Sequence, residues 1–150
     1  MRQPSSKSAQ GGVALIEAMV AIFIFSIGVL AVIGMQAVSI RTSSDAKYRA
    51  DAAYLADQLI GRMWADQANI GQYVHGAANC ATGGTVTANT NAVTWLNTVA
   101  STLPGAATDR QRVQVNPATN EVTVTVCWPT APGATTYHNH VITTRINNNG

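Results

Sequence analysis

The chain has 150 residues, which is the length of a single domain. Hydrophobic residues make up 47% of it and charged residues only 11%, whereas ordinary soluble domains have roughly 25% charged residues. We therefore expect part of the chain to contact something other than water. The formal net charge is +2 and the sequence has no basic tract, so we expect no nucleic acid among its partners.

The chain begins with a polar, weakly basic segment that gives way to a long apolar run. Residues 1–12 carry Arg2 and Lys7, and residues 18–35 contain no charged side chain and only Ser26 as a polar one. A helix of this length spans roughly 27 Å, close to the thickness of a bilayer core. The run predicts a membrane-inserted helix. A secretory signal peptide, a plain signal anchor and a soluble core helix are three of the interpretations that this run leaves open.

Glu17 lies at the edge of this run and helps to choose between the interpretations. A carboxylate driven to the middle of a bilayer costs about 3 kcal/mol, and neither a signal peptide nor an anchor needs one. At the membrane interface, near the positive end of the helix dipole, the same carboxylate is tolerated. Its charge alone therefore leaves both placements open. A conventional signal peptide would also have a shorter apolar run, of about 7–15 residues.

The residues around Glu17 resemble the class III signal of type IV prepilins. Residues 11–17 read Gly-Gly-Val-Ala-Leu-Ile-Glu, and in that family a basic leader ends in glycine, with glutamate as the fifth residue after the cut. The resemblance implies cleavage between Gly12 and Val13 and N-methylation of Val13. It also implies that Glu17 pairs, in the filament, with the amino group of a neighbouring subunit's first residue. A buried carboxylate needs such a partner, so Glu17 would set the register of assembly.

The helix is expected to continue beyond the apolar run, to about residues 68–71. Two pairs of residues have the i, i+4 spacing of a helical ion pair, Asp45 with Arg49 and Arg62 with Asp66. A break at residues 39–44 would instead give two helices, and the pattern leaves this alternative open. The second part has one apolar face with helical spacing, formed by Tyr48, Ala52, Leu55, Leu59 and Met63.

The C-terminal half predicts a mixture of helix and sheet. Residues 71–91 are rich in Gly, Ala, Thr and Asn and predict a loop. Helical spacing of apolar residues predicts a short helix over about 91–103, ended by Leu-Pro-Gly. Alternation with a period of two then predicts strands at 112–115, 122–128 and 137–146. The predicted fold class is α+β, with a long N-terminal helix packed on a small antiparallel β-sheet.

Cys80 and Cys127 are the two cysteines of the chain. In a domain that the resemblance places in the periplasm, an even pair favours a disulfide, and two unpaired thiols are the alternative. The alternation of the second strand places Cys127 on the face opposite the valines. A bridge would therefore pin the 71–91 loop to the outer face or to an edge of the sheet, and not inside the core.

The other reactive side chains predict no catalytic or metal site. His138 and His140 project from one face of a strand, but two ligands are too few for a structural zinc site. His75 is expected to be solvated in its loop. The sequence has no nucleophile-and-base pattern and no phosphate-binding glycine loop, so we expect neither an enzyme nor a cofactor. The tryptophans are expected in the core: Trp64, Trp95 and Trp128.

Further segments narrow the resemblance to PilV-type minor pilins (type IV pilus modification proteins). These segments are residues 26–30, 53–63, the helix that ends at 103–105, and 122–128. The resemblance implies a pilin-like fold and a minor pilin subunit that is incorporated into a type IV pilus, or fimbrium, or that primes its assembly. A pseudopilin of a type II secretion system shares the same N-terminus and is one alternative. A secreted domain with a conventional signal peptide is another.

The resemblance also implies an organisation of the chain and a set of partners. The implied partners are prepilin peptidase, other major and minor pilins, the inner-membrane assembly platform and membrane lipid. The protein would be a single-pass inner-membrane protein before assembly and part of the pilus or cell surface afterwards. The implied organisation is a cleaved leader at 1–12, a transmembrane or filament-core helix at 13–38, its amphipathic continuation at 39–70, and a globular periplasmic head at 71–150.

Overall fold

The computed structural model describes residues 11–147. Its first element, α1, is one uninterrupted helix from Gly11 to Ala65, so the alternative of two helices broken at residues 39–44 is wrong. The chain forms two compact units, one ending at Ser44 and the other beginning at Asp45. Helix α1 therefore contributes residues to both units.

The first part of α1 carries its side chains outward on every side. All the side chains of residues 12–43 are exposed, and a helix that is apolar all round needs a non-aqueous environment. The hydroxyl of Ser26 donates to the carbonyl of Ile22 at 2.7 Å, which satisfies it within the helix. Among the described residues, α1 is the one helix whose length and apolar composition suffice to cross a membrane, a criterion that an N-terminal signal sequence also meets.

The second part of α1 has the amphipathic face that its spacing predicts. Ala52, Leu59 and Met63 are fully buried and Leu55 is nearly so, whereas Tyr48 is partly buried against the same cluster. The helix ends at Ala65, slightly before the predicted 68–71, because the backbone of the next residue leaves the helical region. A 3₁₀ helix over Gln67–Tyr73 follows.

The Asp66 carboxylate holds this 3₁₀ helix in place. It accepts hydrogen bonds from Asn69 Nδ2 at 2.7 Å and from Tyr73 Oη at 3.0 Å. The predicted ion pair between Arg62 and Asp66 is wrong, because both side chains are engaged elsewhere. The Arg62 guanidinium donates to the carbonyl of Asn91 at 3.3 Å.

Helix α2 runs from Thr90 to Thr102 and confirms the predicted short helix. Asn89 caps its first turn, because its side-chain oxygen accepts from the backbone N–H of Asn91 at 2.9 Å and of Ala92 at 3.2 Å. The helix stops before the Leu-Pro-Gly sequence. Its buried residues follow the predicted helical spacing, and they are Ala92, Trp95, Leu96 and Val99.

Three antiparallel strands form one sheet in the order β1-β2-β3. Strand β1 is Arg112–Asn116, β2 is Glu121–Pro129 and β3 is Tyr137–Arg145. All three confirm the predicted strands to within one residue at either end. Asn120, in the turn before β2, has φ 52°, a left-handed conformation that asparagine tolerates.

The core lies between the second part of α1, α2 and one face of the sheet. The indole Nε1 of Trp95 donates to the carbonyl of Leu55 at 2.7 Å, which ties α2 to α1. Valines of the central strand point into the same cluster, with Val122, Val124 and Val126 at 0% exposure. The predicted α+β, pilin-like arrangement of a long helix on a small antiparallel sheet is thereby confirmed.

The tryptophans do not all lie in the core. Trp95 and Trp128 are buried, at 0% and 2% exposure, but Trp64 is 43% exposed. The prediction for Trp64 is wrong because it follows the core residue Met63 directly. A rotation of about 100° per residue carries its side chain away from the face that the sheet and α2 cover.

Candidate functional site

The predicted cleavage site lies within α1, close to the first of the described residues. The described part of α1 starts at Gly11, and the Gly12–Val13 peptide bond follows its second residue. Apart from the adjoining residues and the nearby helix backbone, no atom of the described residues lies within 4 Å of the position where Gly12 would carry a Cβ, and Val13 is 71% exposed. The described residues therefore leave the side-chain positions on both sides of this bond uncovered.

Glu17 lies one helical turn after Val13 and on the same face of α1. Its side chain is exposed, as are the apolar side chains of Ile16 and Met19 near it in the sequence. Its carboxylate makes no hydrogen bond to any other residue between 11 and 147. An ionised carboxylate in an apolar environment is costly without a partner. The first unit thus presents a charge that a group from outside it can neutralise. The roles of Gly12, Val13 and Glu17 in processing and assembly stay predictions.

The second unit contains a disulfide between Cys80 and Cys127. The two Cα atoms are 5.8 Å apart and the residues are separated by 47 positions in the chain. The bridge lies on the face of β2 opposite Val126, outside the hydrophobic cluster of the core. It is nevertheless shielded, since Cys80 is 4% and Cys127 only 1% exposed. The outer face of the sheet is therefore covered at this point.

Part of this cover is Gln111, which the sequence analysis did not single out. Gln111 is 0% exposed. Its Oε1 accepts from the backbone N–H of Cys127 at 2.8 Å, and its Nε2 donates to the carbonyls of Cys127 at 3.0 Å and of Ala107 at 2.9 Å. The side-chain amide thus makes the two hydrogen bonds to Cys127 that the backbone of a neighbouring strand would make. Gln111 is the residue directly before β1. A glutamine before a strand gives no periodic signal from which this role could be predicted.

His75 is buried, contrary to the prediction that it is solvated. It is 6% exposed and forms a β-bridge with Val113, with backbone hydrogen bonds of 3.0 Å in both directions. Its ring Nε2 lies 2.9 Å from the carbonyl of Thr108, and its Nδ1 accepts from the N–H of Thr87 at 3.4 Å. The prediction fails because the bridge places this part of the loop on the edge of β1.

His138 and His140 lie on β3 opposite Trp128 and Val126 of β2. The ring of His138 packs against Trp128, with 5.6 Å between the ring centroids. Across residues 11–147, no group of three or more His, Cys, Asp or Glu side chains is placed to hold a metal ion. His138 therefore has a packing role, against the ring of Trp128.

Comparison with known protein families gives a match in the N-terminal segment of the chain. The family model for the prokaryotic N-terminal methylation motif matches residues 7–33, which include the Gly12–Val13 bond, Glu17 and most of the apolar run. The rest of the chain lies outside this match. No curated protein and no solved structure matches the chain. The methylation motif, together with the long apolar helix that it opens, supports a type IV prepilin-like protein.

Proposed function

We propose that this chain is a minor pilin subunit of a type IV pilus, most similar to PilV-type pilins, which joins the filament or primes its assembly. The observation that carries the proposal is the methylation motif at residues 7–33, at the start of a helix whose side chains at 12–43 are all exposed. Glu17 is the one charged residue between positions 12 and 40. Such a helix needs lipid or other helices around it. The role is structural and not enzymatic.

In this proposal the chain is processed before it assembles. Prepilin peptidase removes residues 1–12, and Val13 is N-methylated. Residues 13–38 cross the inner membrane once and later enter the filament core, and residues 39–70 continue the same helix. Residues 71–150 form the head in the periplasm, which reaches the cell surface with the pilus. The partners are the peptidase, other major and minor pilins, the assembly platform and membrane lipid.

Glu17 fixes the axial register of neighbouring helices during assembly. In an apolar environment its carboxylate is costly unless a cation pairs with it. The amino group of a neighbouring subunit's Val13 supplies that cation only when the two helices stand at matching heights. A helix shifted by one turn would leave both charges unpaired. Glu17→Gln is therefore expected to leave cleavage intact and to lower the amount of protein in sheared pili. Ser26→Ala, which removes a hydroxyl already satisfied within the helix, is the matched control.

The first test is the mass and N-terminal sequence of the mature protein isolated from membranes. A chain that begins at Val13 and is heavier by one methyl group supports the proposal. A chain that begins near Ser39 indicates a secretory signal peptide, and an uncut Met1 indicates a signal anchor; either result contradicts it. Gly12→Leu is expected to block cleavage, whereas Gly11→Ala, one residue earlier, is expected to be cleaved normally.

A second test separates the pilus from a secretion system. Deletion of the gene is expected to reduce surface pili and to leave type II secretion of exoproteins unchanged. Restoration of piliation by the wild-type chain, and not by Gly12→Leu, links the effect to the processed protein. Loss of secretion with normal piliation would instead assign the chain to a type II pseudopilus.

A further inference from the structure

The second unit contains a cavity of about 200 Å³ whose lining includes three aromatic rings. Trp128, near the end of β2, lines it and is 2% exposed. The ring of His138 lies against Trp128 at an angle of 40°, and half-buried Tyr48 of α1 contributes the third ring. The faces of the Trp128 and Tyr48 rings carry negative potential and attract cations. The cavity therefore favours a flat or cationic group over an anion.

The rim of the cavity is stiff. Pro104, Pro129 and Pro132 line it, and proline has a fixed φ. Gly105 has φ +72°, and a Cβ on it would lie 2.8 Å from the Pro129 ring, so only glycine allows these two segments to approach so closely. A binding site that is already formed loses little conformational entropy when a ligand enters.

One carboxylate gives the cavity its charge. Among the described residues that line it, Asp45 carries a negative charge and none is a Lys or an Arg. The side chain of Asp45 is exposed. Within residues 11–147 it forms no salt bridge, so the predicted ion pair with Arg49 is wrong. A free carboxylate beside three aromatic rings is complementary to a cation, which would gain a charge-assisted hydrogen bond and cation–π contacts together.

The volume of the cavity limits the size of its occupant. Sites for drug-sized molecules and cofactors measure about 300–1,000 Å³, so this cavity is small for such a ligand. It is large enough for one long side chain. Protein interfaces commonly use such cavities to hold a single anchor residue, and arginine is among the side chains enriched in that role.

We propose that this cavity is an anchor site for one arginine side chain of a partner polypeptide. The planar guanidinium stacks on the rings of Tyr48 and His138 and forms a paired hydrogen bond with the carboxylate of Asp45. Lysine fits less well, because its compact ammonium cannot stack and is strongly hydrated. The proposal rests on the cavity and not on the role of the N-terminal segment, so it holds for a pilin, a pseudopilin or another membrane-anchored protein.

The test uses the mature full-length chain in detergent micelles and a short peptide probe. The probe is acetyl-Gly-Gly-Arg-Gly-Gly-amide, and its control carries citrulline, which has nearly the same shape and no charge. Nuclear magnetic resonance follows the indole N–H of Trp128, with the indoles of Trp64 and Trp95 as internal references. We expect the arginine peptide to shift the Trp128 signal saturably at millimolar concentration and to leave the reference signals unchanged.

Variants and probes then identify the contacts. We expect Asp45→Asn to weaken binding about fivefold, the range of a partly exposed ion pair, and the citrulline peptide to bind the wild-type chain equally weakly. Asp57→Asn removes an exposed carboxylate of the same helix outside the cavity and should change affinity by less than about twofold. A third peptide with lysine in place of the arginine should also bind more weakly. Equal binding of the citrulline or lysine peptide, an equal loss in both variants, or no saturable shift at Trp128 would overturn the proposal.

Discussion

At the scale of single residues, the end of the sheet depends on Gln111. Strand β2 is longer than β1, so the backbone of Cys127 extends past the last residue that β1 can pair with it. The side-chain amide of Gln111 supplies both the missing acceptor and the missing donor. Buried backbone groups are almost always paired, and here a side chain does the pairing.

We predict that Gln111→Ala lowers the free energy of unfolding by about 3 kcal/mol, because it leaves two buried backbone groups of Cys127 without partners. Urea unfolding of the mature chain in micelles, followed by near-ultraviolet circular dichroism, measures this. Gln114→Ala, on an exposed position of β1, should cost less than about 0.5 kcal/mol. Similar losses in the two variants would show that the amide of Gln111 has no special role.

Asp66 makes the stability of the second unit depend on pH. Hydrogen bonds from the side chain of Asn69 and then from Tyr73 lower the pKa of Asp66 below its ordinary value of 3.8. A carboxylate whose pKa is lower in the folded state stabilises the fold fully above its unfolded pKa. This stabilisation is lost as the pH falls through the folded pKa. The relevant window therefore lies below pH 3.8.

We predict that Asp66→Asn makes the unfolding free energy less sensitive to pH in this window. The reason is that an amide cannot take up the proton that weakens the hydrogen bonds of Asp66. Unfolding curves from neutral pH to below pH 3.8 measure the slope of stability against pH. Asn69→Ala, which keeps the carboxylate and removes one donor, should reduce the slope only in part. An unchanged slope in Asp66→Asn would contradict the prediction.

At the scale of elements, the segment between the 3₁₀ helix and α2 is held at several points without regular secondary structure. The β-bridge of His75 fixes one end, and the N–H of Gly76 donates to the carbonyl of Thr85 at 2.7 Å. Near its middle, Cys80 is bonded to β2, and its carbonyl accepts from the guanidinium of Arg110 at 2.8 Å. The segment is therefore a fixed cover on the sheet.

We predict that Cys80→Ser with Cys127→Ser lowers the unfolding free energy by up to about 4 kcal/mol, the chain-entropy value for a bridge that closes a loop of 47 residues. Chemical denaturation with and without dithiothreitol measures it. Reduction should destabilise the wild-type chain and leave the double variant unchanged, which separates loss of the bridge from a general effect of the reductant. Equal mobility of the wild-type chain on reducing and non-reducing gels would contradict the bridge.

The elements that the sequence predicts are those with a local signal. The valines of β2 alternate with a period of two, and the spacing around Trp95 together with the Leu-Pro-Gly stop defines α2, so both follow from patterns within one segment. The burial of His75 and Gln111 depends instead on partners far along the chain, and neither residue type predicts such contacts. Trp64 shows the same limit, because its size suggests burial whereas its position on the helix determines exposure.

At the scale of the whole molecule, the two units differ in what stabilises them. Every residue of the hydrophobic core lies between positions 52 and 146, with Tyr48 packed against it. The first part of α1 contributes no side chain to that core, and among the described residues its apolar surface is exposed throughout. The second unit has its own core, which is the property expected of a part that folds alone.

We predict that residues 45–150 fold as a soluble fragment whose unfolding free energy lies within about 1 kcal/mol of that of the same unit in the full chain, because the removed residues share no core contacts with it. Denaturation of the fragment in buffer and of the mature chain in micelles, both followed by near-ultraviolet circular dichroism, makes the comparison. A fragment of residues 57–150 is the control and should not fold. It lacks Ala52 and Leu55, which are 0% and 2% exposed, and with Leu55 the carbonyl that binds the indole of Trp95. A 45–150 fragment without a cooperative transition would mean that the apolar helix is needed for the fold of the head as well as for its anchoring.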